Sequence, residues 1–351
     1  MTKHKAVTIG DKLGFGTMSM TWVDHVPPIE QSLETLEYVT SPTGPNVKFI
    51  NGGIFYGGDD INLKLLKKFI DQKPPEFTRT LTFLIKGGVD LSKFAILGSK
   101  ESISKDIDKI VSYFPKTEGR PKILFEIGRV DRNVPYEKSV EYISDYVKKG
   151  IIDGVSLSEV GSTSMVKAAK VFPISFVELE LSIMTQDILN NGILKTATDL
   201  GIPVVAYSPL SKGFLSDFAV ENEDAFHKVL MADPLRSTFD RNSEENFPKN
   251  MKLVKALYLF AHDVKHTSLQ SLAISWILAI SERKSYRNIT NVTKIIPIPS
   301  GSTRLRADLT FNNIVELSSE DLIDIDHIVE TNQVAGGRYN EKLRQHCDQE
   351  Q

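Results

Sequence analysis

A chain of 351 residues allows one large domain or two smaller ones, and 41% hydrophobic with 25% charged residues excludes a disordered or fibrous protein. The net charge of -3 offers no general attraction to phosphate backbones, so nucleic acid is not an expected partner. The lone cysteine, Cys347, excludes an internal disulfide, and no stretch reaches the ~20 apolar residues that would span a bilayer.

Together with an opening segment, MTKHKAVTIGDK, that lacks a signal-like apolar run, this leads us to expect a soluble protein of the cytoplasm or nucleus. Cys347 itself lies in the polar run RQHCDQEQ and reads as a passive thiol.

In chain order, short apolar or β-branched runs recur at 12–17, 47–51, 81–86, 123–128, 153–157, 175–180, 203–208 and 294–298. Each is short enough to be a strand buried on both faces. Helical periodicity separates them: Leu63, Leu66 and Ile70 share one stripe, Val140, Ile143 and Val147 another. Two further helical runs fall within 257–280, the second with Leu272, Trp276 and Ile280 at every fourth position. Strand-helix alternation repeated eight times predicts a (β/α)8 TIM barrel over residues 1–333. An open doubly wound sheet is disfavoured, because KLGFGTM lacks the G-x-G-x-x-G spacing of a dinucleotide turn. The segment 211–250 is too long for a connector and reads as a functional or mobile loop at the barrel mouth. Residues 334–351 read as a polar tail that need not pack fully.

Residues at the C-terminal ends of barrel strands converge on one mouth. There the second run leads into NGGIFYGG, with Tyr56 between two glycine pairs, and the third ends at Lys86. A free phenol has a pKa near ~10, and a neighbouring ammonium favours its ionised form. Tyr56 beside Lys86 therefore suggests proton donation during carbonyl reduction, without a metal.

The motifs KLGFGTM, N-x4-Y-G, LIKGG, GVSLSE, VVAYSPLSKG and IIPIPSGSTR, spread over nearly the whole chain, resemble those of aldo-keto reductases. FEIGRVDRNVP is similar to the corresponding stretch of fungal pyridoxal reductases. The resemblance implies NADPH across the mouth and a small-molecule aldehyde as substrate, with pyridoxal reduced to pyridoxine the favoured reaction. It implies Tyr56 as proton donor, Lys86 lowering the tyrosine's pKa, and Asn51 beside them. It places the cofactor against Gly16, Thr17 and Met18, against Ser158 and Glu178, and under Tyr207, followed by Ser208, Pro209, Leu210, Ser211 and Gly213. Ser300, Gly301, Ser302, Thr303 and Arg306 would take the adenosine and its 2'-phosphate, whose dianion suits hydroxyls and a guanidinium. Trp22, Gly128 and Arg129 would border the substrate.

Three positions depart from the family pattern: Asn51 replaces an aspartate, Gly128 a histidine, and Glu178 a glutamine that faces the nicotinamide amide. Asn51 contributes no negative charge to hold Lys86. Gly128 is expected to leave room for a bulkier ring or a water. These losses keep open a catalytically weak, cofactor-binding regulatory protein, as well as a reductase of another aldehyde or ketone. Oligomeric state has no signature in the sequence.

Overall fold

The protein is described by a computed structural model covering residues 4–93, 95–345 and 347–348. Eight strands form one parallel sheet: β1 (Gly14–Gly16), β2 (Phe49–Gly53), β3 (Thr82–Gly87), β4 (Lys122–Ile127), β5 (Gly154–Ser158), β6 (Ile174–Glu180), β7 (Val204–Tyr207) and β8 (Ile295–Pro297). They lie in chain order, and the Gly16 amide donates to the Pro299 carbonyl at 2.9 Å, bringing the last strand back to the first. Residues on all eight strands are almost entirely buried, which accounts for their near-continuous apolar composition.

The helices that follow the strands are α1 (Ile29–Thr40), α2 (Ile61–Asp71), α3 (Lys100–Tyr113), α4 (Tyr136–Lys148), α5 (Ser162–Val171), α6 (Ile193–Asp199), α7 (Leu269–Ser281) and α8 (Arg304–Phe311). Their apolar stripes pack on the barrel's outer face, as the spacing of Val140, Ile143 and Val147 predicts, all three being buried. Trp276 on α7 is fully buried, in keeping with a core role.

Inside the barrel, Phe49, Leu84, Leu124, Phe176, Val205 and Ile296 form an apolar plug. Strand side chains alternate faces, so the residue two positions further on each strand also points inward, one layer nearer the mouth. On β2, β3, β4 and β6 those residues are Asn51, Lys86, Glu126 and Glu178. The interior thus passes in one step from hydrocarbon to a buried polar layer.

Two expectations are revised. The excursion after β7 is long, but short helices at Asp217–Glu221 and Glu223–Ala232 and a longer one at Phe247–Leu259 replace the irregular loop that its composition suggested. The described residues from 334 to 348 also pack, where the tail was expected not to need full packing. Arg338 is buried between Glu159 and Glu180, Cys347 is buried, and the Asn250 amide donates to the Ala335 carbonyl at 2.9 Å while its oxygen accepts from the Ala335 amide. Partners so distant in sequence leave no trace in local composition.

Candidate active site at the barrel mouth

Asn62, fully buried on α2, fixes the shape of the first two strand ends. Its oxygen accepts from the Gly53 amide at 3.0 Å, and its amide donates to Thr21 Oγ1 at 2.9 Å and Thr17 Oγ1 at 3.1 Å. Thr17 in turn donates its hydroxyl to the Asn51 carbonyl at 2.8 Å. The tyrosine turn then requires glycine at two points. A Cβ on Gly53 would lie 2.9 Å from the Tyr56 ring, and Gly57, at φ +92°, would place one 2.4 Å from the Thr21 carbonyl. The result is a buried Tyr56, stacked on Trp22 with ring centroids 5.9 Å apart and edge-on to Phe55 at 5.3 Å.

The sequence-predicted Asn51, Tyr56, Lys86 and Glu178 meet in this layer. Tyr56 donates to Asn51 Oδ1 at 3.4 Å, while Asn51 Nδ2 donates to Glu178 Oε2 at 2.7 Å. Lys86 Nζ donates to Glu178 Oε1 at 2.5 Å and stands 3.6 Å from Glu126. The counter-ion missing at Asn51 is therefore supplied by Glu178 from the opposite side of the barrel. Both oxygens of Glu178 are engaged within the protein, whereas its expected role was to face a nicotinamide amide.

Burial pushes the Tyr56 phenol up to about 12; Lys86 pulls it down, and Glu178 and Glu126 push it up. Lys86 thus acts in the expected direction, while burial outweighs it. Lys86 loses charge stabilisation by burial, yet Glu178, Tyr56 and Glu126 raise its pKa overall, so it remains an ammonium. Such a site holds a neutral phenol beside a fixed cation. A phenol held in this way can protonate a stronger base, such as an alkoxide, formed against it.

The space expected at Gly128 is filled. A Cβ there would lie 2.9 Å from Val89 Cγ2, 3.4 Å from Phe55 and 3.5 Å from Lys86 Cδ, so neighbouring side chains already occupy the place of a larger residue. Arg129 is half-buried and donates to the Gly128 carbonyl at 2.6 Å.

Around this layer lie the other predicted residues. Ser158, at the end of β5, is fully buried with a hydroxyl that has no hydrogen-bond partner among the described residues, which suits the carboxamide of a nicotinamide. The Tyr207 ring lies under Lys86 Nζ at 5.5 Å, and its hydroxyl shares a 2.9 Å hydrogen bond with that of Tyr339. Beyond it, Ser208, Ser211 and Lys212 have φ of +50°, +50° and +58°, and Gly213 +108°; such a run of strained conformations is a feature of ligand-holding loops. Pro209 and Leu210 lie within that loop. Thr303 caps α8 by accepting from the Arg306 amide at 3.2 Å, and the Arg306 guanidinium donates to Ser302 Oγ at 3.2 Å. With exposed Ser300 and the close turn at Gly301, this helix start presents amides, hydroxyls and a guanidinium suited to phosphate. Of the β1-end residues, Met18 is exposed while Thr17 is fully buried, its hydroxyl held by Asn51 and Asn62; Gly16 closes the barrel.

Four groups at the mouth escaped sequence reasoning. Glu126 belongs to the polar layer. Glu159 and Glu180, both fully buried, bracket Arg338, and Glu180 also accepts from Lys212 at 2.6 Å. Acidic residues within apolar strand runs (FEIG, SLSE, VELE) were the available signal.

The aldo/keto reductase family model matches residues 12–330. "Probable pyridoxal reductase 2" of Schizosaccharomyces pombe is 32% identical over 94% of this chain and 95% of its own length. A Saccharomyces cerevisiae protein whose provisional name states the same activity is 30% identical over 93% of this chain and 95% of its own. Among solved structures, a glycerol dehydrogenase from Gluconobacter oxydans superposes with a TM-score of 0.72 at 16% identity, covering 92% of each chain, a likeness of fold alone.

Proposed function

The chain belongs to the aldo/keto reductase family, and on that premise we propose that it is an NADPH-dependent reductase of aldehydes, with pyridoxal as the favoured substrate. The observation that carries the proposal is the buried cluster of Tyr56, Asn51, Lys86 and Glu178 at the strand ends. A nicotinamide cofactor, when bound, supplies the hydride. Ser158 would hold its carboxamide, the 208–213 loop its pyrophosphate, and Ser302, Thr303 and Arg306 a 2'-phosphate.

Tyr56 then gives its proton to the oxygen of the carbonyl being reduced. The Lys86 ammonium stabilises the phenolate that this leaves, and Glu178 with Asn51 keeps the ammonium in place. Trp22 and Phe55 pack about the phenol and exclude water from it. Pyridoxal is favoured by the names of the two fungal relatives. Its ring hydroxyl lies beside the aldehyde and can hydrogen-bond it internally, so it has less need of the histidine donor that Gly128 replaces.

The test is an aldehyde panel assayed by cofactor oxidation with NADPH and with NADH. Pyridoxal with NADPH should give the highest kcat/KM. Preference for an unrelated aldehyde would refute the substrate, and preference for NADH would refute the cofactor.

A further inference from the structure

Glu126 has no part in the chemistry above. It lies on β4 directly across the sheet from Lys86, the two being partners in the strand register, and it is fully buried. Among the described residues neither carboxyl oxygen has a hydrogen-bond partner, and its contact with Lys86 Nζ is 3.6 Å, whereas Glu178 takes the same ammonium at 2.5 Å. Two carboxyls therefore share one ammonium in a buried layer. If both were ionised, a buried negative charge would remain uncompensated, which a low-dielectric interior strongly disfavours.

We propose that Glu126 is kept as a neutral carboxylic acid and holds the reserve proton that returns Tyr56 to its phenol form through Lys86. This rests on the reductase reading and extends it to the step after reduction. Tyr56 loses its proton to the substrate oxygen and becomes a phenolate. Lys86 gives the phenolate one ammonium proton, and Glu126 gives its carboxyl proton to the lysine nitrogen. Phenol and ammonium are restored, Glu126 is left a carboxylate, and a solvent proton refills it after product leaves.

The groups facing Glu126 are Lys86 on β3, Glu178 on β6, and through space Tyr56 and Tyr136 of α4. Burial first, then Glu178, raises its pKa well above the usual carboxylate range, with Lys86 opposing. A neutral Glu126 also relieves part of the upward push on Tyr56. Glu126 acts through Lys86 and so is a positioning residue.

The first readout needs no turnover. Infrared difference spectra at neutral pH, unchanged protein minus Glu126→Gln, should show one protonated-carboxyl carbonyl band that shifts in heavy water. Glu178→Gln, which leaves Glu126 as the carboxyl beside the ammonium, should abolish that band, a check that stands even if Glu126→Gln does not fold. The second readout is kinetic. Because Tyr56 already carries the first proton, Glu126→Gln should leave the single-turnover rate within about twofold while steady-state turnover falls about tenfold, with a larger solvent deuterium isotope effect. Absence of the band in the unchanged protein, its persistence in Glu178→Gln, or an unaltered steady-state rate in Glu126→Gln would overturn the proposal. Failure of the reductase reading is separate: it would appear as no cofactor oxidation in the unchanged protein, whatever the spectra show.

Discussion

Glu178 Oε1 stands 2.5 Å from Lys86 Nζ, so the lysine's counter-ion sits on β6 and not on β2. Relative to the family pattern, the carboxylate and the carboxamide have exchanged places across the barrel. Asn51 donates to Glu178, and Glu178 in turn accepts from the lysine.

This exchange predicts strong coupling between positions 51 and 178. Glu178→Gln removes the close partner of a buried ammonium, and Asn51→Asp places a second carboxylate against Glu178 Oε2; each should lower stability. The double substitution should recover about 1–3 kcal/mol relative to the sum of the singles. Denaturant unfolding of the four proteins measures it, and additive losses would show that the two positions do not share one charge.

The pH dependence follows from the raised phenol. In the proposed reaction the acid form of Tyr56 donates, and with a folded value of about 12 that form persists throughout the neutral range. Its contribution to carbonyl reduction should be flat from about pH 6 to 9 and fall only as pH approaches that value. A basic limb near pH 8 in kcat, absent from Tyr56→Phe, would contradict this.

A stability window comes from the segment over the mouth. Burial raises the Glu180 pKa, but Lys212 and Arg338 outweigh it and hold the carboxyl below its usual range. A depressed folded value means that the stabilisation is present above the unfolded value, near ~4.3, and is lost as pH falls through the folded one. Hydrogen exchange should therefore show residues 335–345 losing protection in acid before the barrel strands do.

Arg338→Met tests the same junction at neutral pH. It leaves Glu159 and Glu180 without the guanidinium that lies 3.2 Å from each. Breaking such a buried pair costs about 3–5 kcal/mol where the structure cannot relax. The loss should register as faster exchange in 335–345, with barrel protection retained; uniform destabilisation of the whole barrel would contradict a local role.

Much of this architecture could be read in the sequence, because strands buried on both faces show as apolar runs and a barrel brings their ends together. Asn51, Tyr56, Lys86 and Glu178 were identifiable as strand-end residues, although which of them pair was not. The net direction of the Tyr56 shift was hidden for a related reason: a neighbouring cation can be inferred from spacing, while the depth of burial depends on how Trp22, Phe55 and Gly53 enclose the ring. Arg338 was hidden most completely, since its partner Glu159 lies 179 residues away in the chain. Glu126, Glu159 and Glu180 could have been flagged as charges within otherwise apolar strands.

The most direct test of the account is turnover of pyridoxal with NADPH by Tyr56→Phe against the unchanged protein, with NADPH affinity measured in parallel. The account predicts a loss of about a hundredfold or more in turnover, with cofactor binding nearly intact. Turnover retained within a few-fold would show that the proton comes from another group, and the assignment of Tyr56 would fail.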